Sequence, residues 1–115
     1  MNLRFVILHH TGVPQPHFDL MFERSEGSLL DTFRLPAWPL IGAVTIEKLA
    51  DHRRDYLTYE GPLSGNRGAV KRVTGGTFRF QTQSEKALVL DLAGGVRLVL
   101  IKTEGAWSAR VDQTP

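Results

Sequence analysis

Short apolar or alternating segments recur along the whole chain, and glycine, proline, asparagine or aspartate separates each segment from the next. Strands of about five or six residues with turn residues between them are typical of antiparallel sheets. The chain offers no confident long helix, because no extended stretch repeats its apolar residues with the helical period. The pattern therefore predicts a mainly all-β fold, a compact antiparallel β-barrel with little helix.

Nine segments are predicted strands: Leu3–Leu8, His17–Phe22, Ser28–Leu35, Tyr56–Tyr59, Ala69–Thr74, Thr77–Thr82, Ala87–Leu92, Val96–Lys102 and Trp107–Val111. We expect a turn near Glu26-Gly27 and tight hairpin turns at Gly75-Gly76 and Gly94-Gly95, since glycine tolerates positive φ. Ala43–Leu49 fits either a strand or a short helical turn. The alternative fold is an α+β domain with a helix within Thr45–Arg54.

Length and composition limit the function classes. The 115 residues are enough for one domain, residues 1–115. The absence of cysteine excludes disulfides, thiolate metal sites and a cysteine nucleophile. A net charge of +2 permits, without requiring, a phosphate-bearing partner. The apolar run in Met1–His9 is too short for a signal peptide or a membrane span, so we expect a cytoplasmic protein with no membrane partner.

A candidate metal site is formed by His10, His17 and Asp19. Residues two apart on a strand project from the same face, so His17 and Asp19 can point at one spot, and His10 ends the preceding strand. Two imidazoles and one carboxylate suit Mn²⁺, Fe²⁺ or Zn²⁺ with positions left open for water or substrate. The spacing also fits an exposed loop beside a strand with a polar outer face, because short His/Asp patterns recur by accident.

A second cluster is Asp51-His52-Arg53-Arg54-Asp55-Tyr56, which combines an imidazole, two guanidinium groups and a phenol. Arginine matches phosphate geometry with two parallel hydrogen bonds, and histidine can stabilise charge that develops on a phosphoryl group. Such charge runs are also typical of a solvated turn. The glycine-rich Glu60–Gly68 segment lacks the phosphate-loop pattern and is predicted to be a loop.

Together these residues resemble a known family. The similar segments read FVILHH, HFDLMFE, DHRRDYLTYEGPLSGNRGAV, GGTF and GVRLVLIKTEGAWSARV. In this order they are similar to the 3′-phosphoesterase domain of bacterial DNA ligase D, over residues 5 to 111. The most specific parts are the His-x-Asp motif after a short loop and the Asp-His-x-x-x-Tyr string followed by Glu-Gly.

The resemblance implies a β-barrel phosphoesterase that depends on a divalent metal, typically Mn²⁺, with Zn²⁺ as another candidate. It implies the removal of 3′-ribonucleosides and 3′-phosphates at DNA or RNA 3′ ends during DNA repair, with a ligase or polymerase as a partner in trans. By the same resemblance, His10, His17 and Asp19 are the metal ligands, and His52 and Tyr56 are the catalytic residues.

Four positions depart from the family pattern. Polar or basic family residues are replaced by Leu8, Met21 and Ala37, and a family arginine falls near Val44. Arg53, Arg54 or Arg34 are the candidates to bind the substrate phosphate in their place. The linker between the ligand histidines is one residue longer than in the family, so His9 competes with His10 as a ligand.

These departures leave alternative functions open. One is a catalytically weakened nucleic-acid- or metal-binding module with the same fold. Another is a metal enzyme that acts on a different small phosphoester or on a substrate without phosphate.

Overall fold

The structure, a computed structural model, describes residues 2–113. The predicted single domain, residues 1–115, thus includes residues 1, 114 and 115, which lie outside this description. The strands are β1 (Leu3–Thr11), β2 (His17–Glu23), β3 (Leu30–Leu35), β4 (Val44–His52), β5 (Gly61–Pro62), β6 (Ala69–Gln83), β7 (Ala87–Leu92), β8 (Val96–Thr103) and β9 (Ala106–Gln113). One 3₁₀ helix, Arg54–Leu57, follows β4.

All nine strands form one antiparallel sheet in the order β1-β2-β3-β4-β9-β8-β7-β6-β5. A further pairing between β1 and β6 closes eight of them in a ring, with β5 alongside β6. The ring leaves few free strand edges, which is how small all-β proteins satisfy their backbone hydrogen bonds. The predicted mainly β, antiparallel fold with little helix is confirmed.

The main core fills the ring. Alternate residues of each strand point inward, as in β2, where Phe18 and Leu20 face the core and Asp19 faces outward. Phe22, Phe33 and Phe78 are fully or almost fully buried at its centre. Burial of each of these phenylalanine side chains stabilises the fold by roughly 1.5–3 kcal/mol. This packing holds β2, and with it the outward-facing side chains of β2, in a fixed position.

A second apolar cluster lies on the outer face of β1, β2, β3 and β6, and we call it the outer cluster. Its buried members are Val6, Leu8, Met21, Leu30, Leu57 and Val70. Leu57 belongs to the 3₁₀ helix, so this helix packs on the outside of the ring and covers the sheet there. The helix therefore delivers the residues around it to the face that carries His17 and Asp19.

Two predicted elements were wrong, and the predicted Glu60–Gly68 loop contains the two-residue strand β5, which pairs with β6. Tyr56–Tyr59 is not a strand, because residues 54–57 form the 3₁₀ helix that seats Leu57 in the outer cluster. Gly75 and Gly76 do not form a turn but continue β6, where they pair with Val6 and Phe5. A side chain at Gly75 would collide with the guanidinium of Arg72, so this glycine permits a close approach rather than a reversal.

The ambiguous segment after Pro36–Pro39 is a strand. Residues 44–52 form β4, which pairs with β3 on one side and β9 on the other. The alternative helix within Thr45–Arg54 is therefore absent except for the beginning of the 3₁₀ helix. Across residues 2–113, no helix combines the length and apolar character that crossing a membrane requires.

Candidate metal centre and cavity

One hairpin brings the three predicted ligands together. In the β1–β2 pairing, His10 lies opposite His17, and Leu8 lies opposite Asp19. Because side chains alternate along a strand, His10, His17 and Asp19 all project from the outer face. His17 and Asp19 are 8% and 5% exposed, so the cluster is held in a largely buried position.

The donor atoms of the cluster converge. His10 Nδ1 lies 3.2 Å from His17 Nε2 and 3.5 Å from Asp19 Oδ2. His17 Nε2 lies 3.3 Å from Asp19 Oδ1. Two ligand atoms that are each about 2.1 Å from a shared cation lie roughly 3.0–3.4 Å apart. The separations in the cluster therefore fit joint coordination of one cation.

Backbone carbonyls fix the tautomers of both rings. His10 Nε2 lies 2.7 Å from the Arg67 carbonyl, and His17 Nδ1 lies 2.9 Å from the Gln15 carbonyl. A carbonyl oxygen only accepts, so these two ring nitrogens carry the hydrogens. In the neutral rings, His10 Nδ1 and His17 Nε2 consequently present lone pairs to one another. Carbonyl-oriented imidazoles of this kind are the usual arrangement around a bound metal.

Asp19 supplies an independent observation. Its Oδ1 atom is buried and has no hydrogen-bond partner. A buried carboxylate oxygen without a partner is costly, commonly by about 1–3 kcal/mol or more. A cation between the two lone pairs and the carboxylate would satisfy all of these atoms at once. The residues present therefore fit a divalent metal with two nitrogen ligands and one oxygen ligand.

The structure separates the two neighbouring histidines. His9 faces the opposite side of β1 from His10, and its ring stacks on Phe18 with 4.4 Å between centroids. His10 alone of the two belongs to the cluster of converging donor atoms. The strand alternation thus favours His10 over His9 as the ligand.

His52 and Tyr56 lie in the same cavity as the cluster. The cavity, of about 110 Å³, is lined by His10, His17, Asp19, Met21, Arg34, Leu49, His52, Tyr56, Leu63, Arg67 and Val70. His52 ends β4, and its Nδ1 donates to the Ala50 carbonyl at 2.9 Å, which leaves Nε2 as the nitrogen able to meet a ligand. Its ring packs edge-on against Tyr56, with 5.7 Å between centroids.

The two arginines beside His52 are placed differently. Arg54 does not line the cavity, because its Nη1 donates to Glu23 Oε2 at 2.7 Å and to the Ser28 carbonyl at 2.9 Å. Arg53 is exposed and lines a different pocket next to Tyr56. The structure thus brings the metal ligands, His52 and Tyr56 together, and it leaves Arg53 and Arg54 outside their cavity.

Glu23 anchors the 3₁₀ helix that carries Tyr56. Its carboxylate is 3% exposed and accepts from Arg54 and from the backbone amides of Arg4 and Gly27. Burial alone would raise the pKa of Glu23, but the Arg54 hydrogen bond and the two amides outweigh it and lower the pKa. The ionised pair ties the segment after β4 to the end of β2.

Two arginines that line the cavity, Arg34 and Arg67, lie outside the His-x-Asp and Asp-His-x-x-x-Tyr motifs. Arg34 lies directly opposite Asp19 in the β2–β3 pairing. Arg67 belongs to the glycine-rich loop predicted from sequence, and its carbonyl orients His10. A signal for Arg34 was present, because strands related by a turn centred on Glu26-Gly27 pair residues 19 and 34. The sequence carries no comparable signal for Arg67.

Comparisons with known proteins add no identification. No protein-family model matches this chain, and no curated protein matches it.

Proposed function

We propose that this protein is a divalent-metal-dependent phosphoesterase that acts on the 3′ ends of DNA or RNA. Both reactions are hydrolyses in which water adds to phosphorus. Removal of a 3′-ribonucleoside breaks the bond from phosphorus to the 5′ oxygen of that ribonucleoside and leaves a 3′-phosphate, and removal of the 3′-phosphate breaks the bond from phosphorus to the 3′ oxygen. In each reaction the departing oxygen takes up a proton. Mn²⁺ is the proposed metal, and Zn²⁺ is the alternative. We further propose that the protein acts in DNA repair in the cytoplasm, with a ligase or polymerase as its partner.

One observation carries the proposal. The His10/His17/Asp19 cluster and the His52/Tyr56 pair come from segments far apart in sequence, yet they line one cavity. The cluster offers a metal site, and the pair offers an imidazole and a phenol that face it. A structural role for each alone would not require them to share a cavity. Their arrangement suits a phosphoryl group held between a cation and two hydrogen-bonding side chains.

Each side chain has a distinct role in the proposal. A bound divalent cation would supply Lewis-acid stabilisation of a phosphoryl oxygen. The Ala50 carbonyl orients the His52 ring by accepting from Nδ1–H. In its imidazolium form His52 also carries a hydrogen on Nε2, and this N–H stabilises the charge that develops on the phosphoryl group. The Tyr56 hydroxyl orients the phosphate, and the packing of its ring on His52 keeps both groups in place.

The test is a primer that ends in a 3′-phosphate or a 3′-ribonucleotide, incubated with the protein and Mn²⁺. We expect trimming by the wild type and a loss of roughly 10²–10³-fold in rate for His52→Ala. His9→Gln, which alters the neighbouring histidine on the opposite face, is the matched control and should trim normally. Absence of trimming by the wild type, with Mn²⁺ bound, contradicts the proposal.

A second candidate function is a nucleic-acid- or metal-binding module without turnover. Met21 and Leu49 give the cavity an apolar part, and Arg54 is engaged by Glu23. Fewer cations around the phosphoryl group would lower the rate more than the affinity. Primer binding without trimming in the same assay would support this second function.

A further inference from the structure

We infer that Arg34 is the phosphate-binding cation of this cavity, contributed by β3 and directed at a phosphoryl group beside the metal cluster. This inference rests on the proposed function and specifies which side chain contacts the phosphate. Arg34 lies opposite Asp19 in the β2–β3 register, so both side chains project from the outer face. It lines the cavity and also two open clefts that share His17 with it.

The guanidinium of Arg34 is free to turn toward a ligand. Its side chain is 44% exposed, and its nearest acidic partner, Glu47 Oε1, lies 3.8 Å away. Within residues 2–113, the Arg34 guanidinium donates no hydrogen bond to a protein atom. Exposed ion pairs of this length contribute little, so a phosphate can displace Glu47 at small cost.

Two other arginines near the cavity are more restrained. Arg54 is held by Glu23 and Ser28. Arg67 donates through Nε to the Ser64 carbonyl at 2.7 Å and through Nη2 to the Ser64 hydroxyl at 3.1 Å. Of the two arginines that line the cavity, Arg34 is therefore the one that can offer its whole planar fork to two phosphate oxygens.

Charge also favours an anion at this position. A divalent cation held by one carboxylate and two neutral imidazoles retains a positive charge, and phosphate is negatively charged. Arg34 adds a second positive group one strand away from Asp19. We expect the phosphate to bind with one oxygen toward the cluster and two toward the guanidinium.

The probe is inorganic phosphate, titrated by calorimetry into the full chain loaded with Mn²⁺. Arg34→Ala should weaken phosphate binding by about 10- to 100-fold, the usual effect of losing charged hydrogen bonds. Arg34→Lys keeps the charge but loses the planar fork, so its phosphate affinity should lie between those of the wild type and Arg34→Ala. Mn²⁺ affinity should change by less than about 2-fold, because Arg34 is not a donor to the cation.

Two further variants separate a direct contact from a general effect of charge. Arg79→Ala removes the same charge from an exposed position on β6, nine residues or about 30 Å of extended strand beyond Val70. Arg79 does not line the cavity, so this variant should leave phosphate affinity unchanged. Glu47→Gln frees Arg34 and should strengthen binding by about 2- to 5-fold. That gain should vanish when Arg34→Ala is also present, as a double-mutant cycle requires.

Equal phosphate affinity of the wild type and Arg34→Ala overturns the inference. An equal loss in Arg79→Ala, or a Glu47→Gln gain that persists without Arg34, overturns it as well. If the wild type trims 3′-phosphate primers and Arg34→Ala does so equally well, the inference fails and the proposed function stands. If the Mn²⁺-loaded wild type neither trims primers nor binds phosphate, both fail.

Discussion

His10 Nδ1 and His17 Nε2 face one another at 3.2 Å, and the remaining nitrogen of each ring donates to a backbone carbonyl. In neutral rings this arrangement sets two lone pairs against each other next to the Asp19 carboxylate. Such a cluster is unfavourable unless a cation or a proton lies within it. The β1–β2 hairpin thus holds the three side chains in an electrostatically unfavourable arrangement, and metal binding would remove this repulsion.

The two adjacent histidines should differ sharply in metal binding. We expect His10→Ala to weaken Mn²⁺ or Zn²⁺ binding by at least about 100-fold, since it removes a ligand atom. His9→Ala should bind the metal as the wild type does, because its ring stacks on Phe18 on the other face. Calorimetry on both variants tests this, and a reversed order would place the ligand at His9.

Asp19→Asn should separate stability from metal binding. Near pH 8 and without metal, the variant should be at least as stable as the wild type, because it replaces a buried carboxylate that has an unpartnered oxygen. Saturating Mn²⁺ at about 100 times its dissociation constant should stabilise the wild type by about 2.7 kcal/mol and the variant hardly at all. Denaturant unfolding with and without Mn²⁺ measures both quantities. A variant that gains as much from Mn²⁺ as the wild type would remove Asp19 from the ligand set.

Gly68→Ala should impair the metal site from a distance. Gly68 has φ near +80°, and a Cβ there would collide with the carbonyl oxygen of Thr11. The collision would move the neighbouring Arg67 carbonyl, which orients His10, so we expect a loss of about 10- to 100-fold in metal affinity. Gly65→Ala is the control: its φ of +71° is similar, but its Cβ meets no atom closer than 3.8 Å. Equal losses in both variants would assign the effect to backbone strain alone.

The Glu23–Arg54 pair should stabilise the fold in a pH-dependent way. Arg54→Met leaves a buried carboxylate without its cation, and we expect a loss of about 2 kcal/mol in the free energy of unfolding at pH 7. Because the pKa of Glu23 is lowered from 4.5, its contribution is present above that value and is lost as the pH falls through the lower folded-state pKa. The difference between wild type and variant should therefore narrow below pH 4.5.

Arg97→Met provides the comparison for that experiment. Arg97 contacts Asp91 at 2.6 Å, but both side chains are about one-quarter exposed. Water solvates a partly exposed carboxylate, so the loss in the free energy of unfolding should be smaller than that of Arg54→Met. Urea unfolding of both variants between pH 3 and pH 7 measures the two losses. A larger loss for Arg97→Met would mean that burial of Glu23 does not govern the stability of its pair.

Hairpin geometry explains how much of the site could be read from the sequence. The clean alternation in residues 17–22 placed His17 and Asp19 on one face, and the structure confirms that placement. A strand has a period of two residues, so the face of each side chain follows from its position. The same rule distinguishes His9 from His10 once the core-facing residues of β1 are known.

The wrong predictions arose where neighbours, not local preference, determine the backbone. Tyr56–Tyr59 has the composition of a strand, but residues 54–57 form a 3₁₀ helix that buries Leu57 in the outer cluster. Gly75 and Gly76 have the composition of a turn, yet β1 pairs with them and the Arg72 side chain occupies the space above Gly75. Local propensity does not contain these long-range contacts.

The sequence by itself determined the all-β class, most strands and the shared face of His17 and Asp19, because these follow from residue spacing along an extended chain. Only the tertiary structure decided that β1 pairs with β6, that the 3₁₀ helix folds over the outer face, and that His52 and Tyr56 enter the cavity of the metal cluster. Those contacts join residues that are distant in sequence. They form because closing the sheet buries two apolar clusters, and this burial stabilises the fold.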